Sequence, residues 1–239
     1  MMDIAGKLRR LQVRLGSAAL RSGRRAEDIL LVAVTKTHPP ELVDQALALG
    51  IRHIGENRVQ EAVLKLPLLQ QPYEGFHYIG HLQTNKVRQL LGLKPWLIHA
   101  VDSLHLAQAL SRGCVDLGRT QDILLQVNVS GEASKAGFAA AEMIEAAARI
   151  AQLPQLQIRG LMTIGRLTDN PEDNRAVFRQ LRELSGAIAD EQLPGVEMRW
   201  LSMGMSDDFP VAIEEGANLV RLGSAIFGAR VAGQWTVGG

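Results

Sequence analysis

From Ile29 onward the chain repeats one pattern eight times: a short apolar run followed by a helical segment. The runs are Leu30–Thr35, Ile51–Ile54, His77–Gly80, Trp96–Val101, Ile123–Asn128, Ile158–Thr163, Met198–Ser202 and Leu219–Leu222. Helix boundaries between them are readable. Pro39-Pro40 opens one helix, Leu42, Ala46 and Leu49 recur on its apolar face, and Gly50 ends it. Asn170 reads as an N-cap with Pro171 in the first helical position and Asp173 in the first turn, ahead of Leu181, Leu184 and Ile188. Short apolar strands alternating with helices imply a parallel sheet covered on its other face. Eight such units close a (β/α)8 TIM barrel. An open doubly wound sheet is the competing α/β fold, but no G-x-G-x-x-G follows the first strand. The expectation is a single barrel over residues 29–230. An extra N-terminal helix within residues 1–28 would pack on it, and residues 231–239 would form a short tail.

The 239 residues allow one or two domains, and barrels of this size are common as one. Aromatic residues make up only 4%, so the core must rest on Leu, Val, Ile and Ala, which suits helices around a parallel sheet. Net charge is +1 with the basic residues dispersed, which argues against a nucleic-acid surface. The run Arg21–Arg25 reads as a solvated helix end. Cys114 is alone, so no internal disulfide forms, and it reads as a small core residue. No apolar run reaches the length of a membrane span, and the opening "MMDIAGKLRRLQ" is amphipathic without a signal-peptide core. A cytoplasmic protein with no membrane partner is expected.

In a barrel the reactive groups collect where strands finish. The first strand ends at Lys36, an expensive place for a charge unless it is paired across the rim or chemically employed. In a partly desolvated mouth its amine would be neutral part of the time and able to attack an aldehyde. The last two strand ends, "SMGMS" and "LGS", offer Ser202, Gly204, Ser206, Gly223 and Ser224. Small residues and hydroxyls there suit an anion. Arg221, inside an apolar strand, either pairs with Glu214 or Glu215 at the rim or faces a ligand. An amine, an anion cradle and an arginine able to face a ring nitrogen together match pyridoxal phosphate held as a Schiff base.

At these residues the chain resembles the pyridoxal phosphate homeostasis proteins, related in fold to the N-terminal barrel of alanine racemase. The resemblance rests on "AVTK" (Ala33–Lys36), "GENRVQE" (Gly55–Glu61), "HYIGHLQTNK" (His77–Lys86), "SKAG" (Ser134–Gly137) and "GLM" (Gly160–Met162). "LSMGMSDDF" (Leu201–Phe209) and "VRLGSAIFGAR" (Val220–Arg230) complete it. It implies a monomeric cytoplasmic barrel with pyridoxal 5'-phosphate on Lys36. It further implies phosphate contacts at Ser202, Met203, Ser206, Gly223 and Ser224, Arg221 by the pyridine nitrogen, and Asn57 near the ring.

A racemase also needs an acid–base group on the far face of the substrate, and Tyr73 and Tyr78, the only tyrosines, do not obviously supply one. A permanent cation beside the pyridine nitrogen weakens the ring as an electron sink. The expectation is therefore a cofactor carrier or reservoir, with transient transfer to pyridoxal-phosphate-dependent apoenzymes. The alternatives are a weak racemase or lyase, or a Schiff-base aldolase acting on a sugar phosphate. Lys135, Lys86 and Lys65 are candidate secondary acceptors, each otherwise a surface lysine. His77 and His81 have the spacing of a metal pair but no carboxylate or cysteine cluster beside them, so no metal is expected.

Overall fold

The computed structural model describes residues 3–132 and 136–228. Ser134 and Lys135 of "SKAG", and the tail expected at 231–239, lie outside the described residues. Among the described residues nine strands run in chain order: β1 (Leu30–Val34), β2 (His53–Glu56), β3 (Gly75–Tyr78), β4 (Leu97–Val101), β5 (Gln121–Asn128), β6 (Phe138–Ala139), β7 (Leu156–Met162), β8 (Val196–Ser202) and β9 (Leu219–Leu222). The helices are α1 (Ile4–Arg21), α2 (Pro40–Ala48), α3 (Val59–Lys65), α4 (Val87–Gly92), α5 (Leu104–Asp116), α6 (Met143–Ala151), α7 (Arg175–Asp190), α8 (Phe209–Glu214) and α9 (Ser224–Phe227).

The strand order is β4-β3-β2-β1-β9-β8-β7-β5, and β5 pairs back onto β4. Every pairing is parallel, from Ala33↔Ile54 through Ile98↔Ile123, so eight strands close into a barrel. The two-residue β6, which no apolar run announces, is a side pairing of Val127 with Phe138. Closure buries strands on both faces: every residue of β3, β4 and β9 is buried. Two strands are displaced from expectation. The Ile51 amide closes the end of α2 by donating to Ala46, so the second ladder starts only at His53. The third begins at Gly75, paired with His53.

Side chains between the helices and the sheet form the large core, and Val32, Leu97, Leu124, Met162 and Leu219 form a smaller one. The barrel interior is not purely apolar. His77, His99, Ser202 and Arg221 are all buried. The Nδ1 of His99 on β4 lies 2.8 Å from Ser202 Oγ on β8, a contact between strands that are not neighbours in the sheet.

The carboxylate of Asp3 caps α1 by accepting from the Gly6 amide at 2.7 Å. The helix lays Ile4, Leu8, Leu11, Leu15 and Ala18 into the core. The basic run after it is not merely solvated. Arg24 donates to the carbonyls of Ile213 and Ala217, capping the end of α8, and Arg21 pairs with Glu214 at 2.6 Å. Cys114 is fully buried in α5, and burial pushes its thiol pKa up, as a core residue requires. Among the described residues no helix is long and apolar enough to cross a membrane.

Candidate functional site

Parallel strands put all their carboxyl ends at one rim, so the residues after β1, β8 and β9 converge. Lys36, Ser206, Arg221, Gly223 and Ser224 line one cavity of about 190 Å³, which His38 also lines.

Lys36 leaves β1 on a fixed turn. The Thr35 amide donates to Gly55 at 2.9 Å, the His38 amide donates back to Thr35 at 3.1 Å, and Thr37 between them has φ +65°. A threonine in that region is strained and persists only where its surroundings hold it. Here the Thr37 amide donates to the Glu61 carboxylate. That carboxylate belongs to a buried cluster. The Lys65 ammonium donates to Glu61 Oε1 at 2.8 Å, to Glu56 Oε1 at 2.7 Å and to the Thr35 carbonyl at 2.7 Å. Thr35 also donates to Glu56 at 2.6 Å. Burial pushes the Glu56 carboxyl up to about 6, with Lys65 opposing the rise. Lys65 is thus neither a surface lysine nor an accessible acceptor: its side chain is 1% exposed. Lys86 sits in a short turn ahead of α4.

Arg221 does not pair with Glu214 or Glu215. Arg21 and Arg175 hold the first, and Arg175, Arg179 and Arg182 the second. Instead its guanidinium donates to the Ser202 carbonyl at 2.8 Å, to Ser202 Oγ at 2.6 Å and to the Thr163 carbonyl at 2.9 Å. Burial lowers its pKa to about 10, with Asp208 opposing, so it stays a cation at neutral pH.

Of the residues expected to meet an anion, Ser206, Gly223 and Ser224 line the cavity, and Ser206 Oγ accepts from the Ala225 amide at 3.1 Å. Ser202 and Met203 are placed differently. Both are fully buried and absent from the lining. The Ser202 hydroxyl is engaged by Arg221 and His99, and the Met203 amide donates to Leu219 while its side chain packs in the core. Asn57, expected near the ring, lines a different cavity of about 280 Å³ that shares no lining residue with the first. Its carbonyl accepts from the Tyr78 hydroxyl at 3.2 Å, and its Oδ1 is buried without a partner among the described residues. An orphaned buried acceptor at a cavity wall is what a polar ligand atom would satisfy. Hydroxyls for an anion, a buried cation for a ring acceptor and a lysine amine share one cavity and fit a phosphorylated aromatic aldehyde; the Asn57 orphan belongs to the other cavity.

His77 and His81 do not converge: His77 points into the barrel, whereas His81 is exposed and meets Asp102 at 2.9 Å. Glu56 and Glu61 enter the sequence reading only within the strand-end motif "GENRVQE", and His53 and His99 only within apolar runs. The available signal was a histidine inside each of three successive apolar strands.

The chain matches the alanine racemase N-terminal domain family over residues 18–231. It is 41% identical to the pyridoxal phosphate homeostasis protein of Aquifex aeolicus over 229 residues, covering 96% of this chain and 99% of that one. A solved structure of an unknown protein from Bifidobacterium adolescentis superposes with TM-score 0.89 at 36% identity, covering 95% of this chain and 97% of that one. PipY of Synechococcus elongatus, solved with PLP bound, superposes with TM-score 0.78 at 39% identity, covering 91% of this chain and 99% of PipY. With a matching barrel and near-complete coverage on both sides, this chain belongs to the alanine racemase N-terminal domain family and, within it, to the pyridoxal phosphate homeostasis proteins.

Proposed function

We propose that this protein binds pyridoxal 5'-phosphate on Lys36 at the barrel mouth. In this reading it serves as a monomeric cytoplasmic carrier or reservoir of that cofactor, influencing amino-acid and keto-acid balance and handing the cofactor transiently to apoenzymes. The observation that carries the reading is one cavity lined at once by Lys36, Ser206, Gly223, Ser224 and Arg221. When bound, the cofactor supplies an aldehyde that a lysine amine can attack and a ring that can delocalise charge. Ser206 and Ser224 would donate to the phosphate. Arg221, held by Ser202 and Thr163, would present its remaining N–H groups to the pyridine nitrogen, and Lys36 would fix the aldehyde carbon.

The residues around the mouth favour holding over turnover. A racemase needs a proton-transfer group opposite the lysine. Tyr78 is a poor one: its hydroxyl donates to the Asn57 and His81 carbonyls, and burial pushes its pKa up to about 12. Arg221, a cation, disfavours protonation of a ring nitrogen set against it. Holoprotein incubated with L-alanine is therefore expected to yield no substantial D-isomer by chiral chromatography; robust turnover would replace the carrier reading with a racemase.

Covalent attachment is tested directly. Borohydride reduction of yellow holoprotein followed by peptide mass analysis is expected to place the added pyridoxyl group on Lys36. In Lys36→Ala the modification at that peptide disappears. A protein that stays colourless with added pyridoxal phosphate, or a wild-type adduct on another lysine alone, would refute the assignment.

A further inference from the structure

Three histidines from successive strands stand in line inside the barrel. His53 Nδ1 lies 2.9 Å from His77 Nε2, and His77 Nδ1 lies 2.8 Å from His99 Nε2. His99 Nδ1 then lies 2.8 Å from Ser202 Oγ, which Arg221 contacts at 2.6 Å. Every link uses one nitrogen of each ring, so the line runs unbroken from the strand start at His53 to the guanidinium at the mouth.

The chemistry of the ends sets its direction. A guanidinium only donates, so Ser202 Oγ accepts from Arg221 and has its own hydrogen to give. Among the described residues His99 Nδ1 is the other partner recorded for that oxygen. The hydroxyl donating to Nδ1 puts the His99 hydrogen on Nε2, which donates to His77. The same logic gives His77 Nε2–H donating to His53, and His53 Nε2–H facing the Glu74 carboxylate at 3.8 Å. The opposite direction would leave the buried Ser202 hydrogen without an acceptor, a costly arrangement. Burial favours neutral rings throughout, pulling His77 and His99 well below the usual histidine pKa. The backbone makes room for the first link: a Cβ at Gly75 would stand 2.5 Å from His53 Nδ1.

We propose that His53, His77, His99 and Ser202 form a one-directional hydrogen-bond relay along the barrel that positions Arg221. Its polarity runs from the cation at the mouth to Glu74 at the opposite end. The histidines are positioning residues. Their effect on a bound cofactor, acting through Arg221, rests on the function proposed above.

The relay is read in the unliganded protein, labelled with 15N-histidine, by long-range 1H–15N spectra at pH 7.5. Expected are three neutral rings, each carrying its hydrogen on Nε2. An Nδ1–H ring at His77 or His99, or a mixture of tautomers there, would overturn it. Gly75→Ala, which crowds the first link, is expected to shift His53 and His77 while His99, set by the Ser202 hydroxyl, keeps its Nε2–H; a change of tautomer at His99 in that variant would count against the Ser202 end as the source of the direction. For the hold on Arg221, His99→Leu is expected to release pyridoxal phosphate about tenfold faster, as loss of a bond supporting a charged group implies. His99→Gln, which can still accept and donate, is expected to restore slow release. Equal release from His99→Leu and wild type would overturn the positioning role. Wild type that takes up no pyridoxal phosphate would instead sink the proposed function, and the tautomers would still decide the relay.

Discussion

Gly204→Ala is expected to lower unfolding free energy by about 2–5 kcal/mol and to loosen the cavity at the barrel mouth with it. Gly204 follows β8 at φ +92°, where an L side chain is strained by roughly 1–2 kcal/mol. Its Cβ would also stand 2.6 Å from Ala212 Cβ and 3.0 Å from Phe209 Cα. Neither neighbour is the movable end of a long side chain, so α8 would have to shift, and overpacking of this kind costs about 1–3 kcal/mol. The Gly204 carbonyl accepts from the Arg221 amide at 3.1 Å, so the shift passes to β9 and the mouth. Gly50→Ala is the control: its φ is +100°, but nothing lies within 4 Å of the added carbon. Urea titration should therefore show the smaller, strain-only loss for Gly50→Ala. Equal losses in the two variants would mean that the close approach of α8 contributes nothing.

The architecture was legible because parallel burial leaves a strong trace: continuous apolar runs such as Leu30–Val34, separated by helices with proline or asparagine starts. Boundaries were less so where an apolar residue serves a helix end, as Ile51 does, or where a ladder starts at a glycine, as β3 does. That Lys36, Ser206, Arg221, Gly223 and Ser224 line one cavity was legible because strand ends share one rim. Ser202 was correctly placed on a strand end, but its inward direction made it a support for Arg221 rather than part of the wall. The pairings of the interior histidines and of Lys65, unlike the residues His77 and Lys65 themselves, are not legible in the sequence for one reason. A polar side chain on an apolar strand or helix face gains its meaning from a partner contributed by another segment. His99 and Ser202 are 103 residues apart, and Lys65 and the Thr35 carbonyl 30. No local period records such pairings.

Lys65→Met is expected to destabilise the protein by about 3–5 kcal/mol at pH 7.5, the usual cost of removing one partner from a buried ion cluster. The amine is the cation between Glu56 and Glu61, bonded to one oxygen of each. Without it two buried carboxylates face each other, and one must take up a proton. That fixes the pH dependence. In the wild type, Glu56 already binds its proton more tightly folded, at about 6, than its ordinary 4.5. A raised carboxyl pKa favours the native state below the unfolded value, and that contribution is lost as pH rises through about 6. Over this window it amounts to about 2 kcal/mol. In Lys65→Met the loss should be larger and extend to higher pH, so the variant should recover relative to wild type on acidification. The comparison must be made at each pH, because His77 and His99, depressed by burial, cost both proteins stability as pH falls below their unfolded value. Destabilisation that stays constant from pH 5 to 8 would show that Lys65 acts by packing alone. The turn carrying Lys36 supplies a second readout: Glu61 also accepts from the Thr37 amide, so displacement of that carboxylate should release the strained threonine. Faster hydrogen exchange at the Thr37 amide in Lys65→Met, measured below the global unfolding limit, would place the consequence at the amine-bearing turn; unchanged protection there would detach the buried cluster from the site.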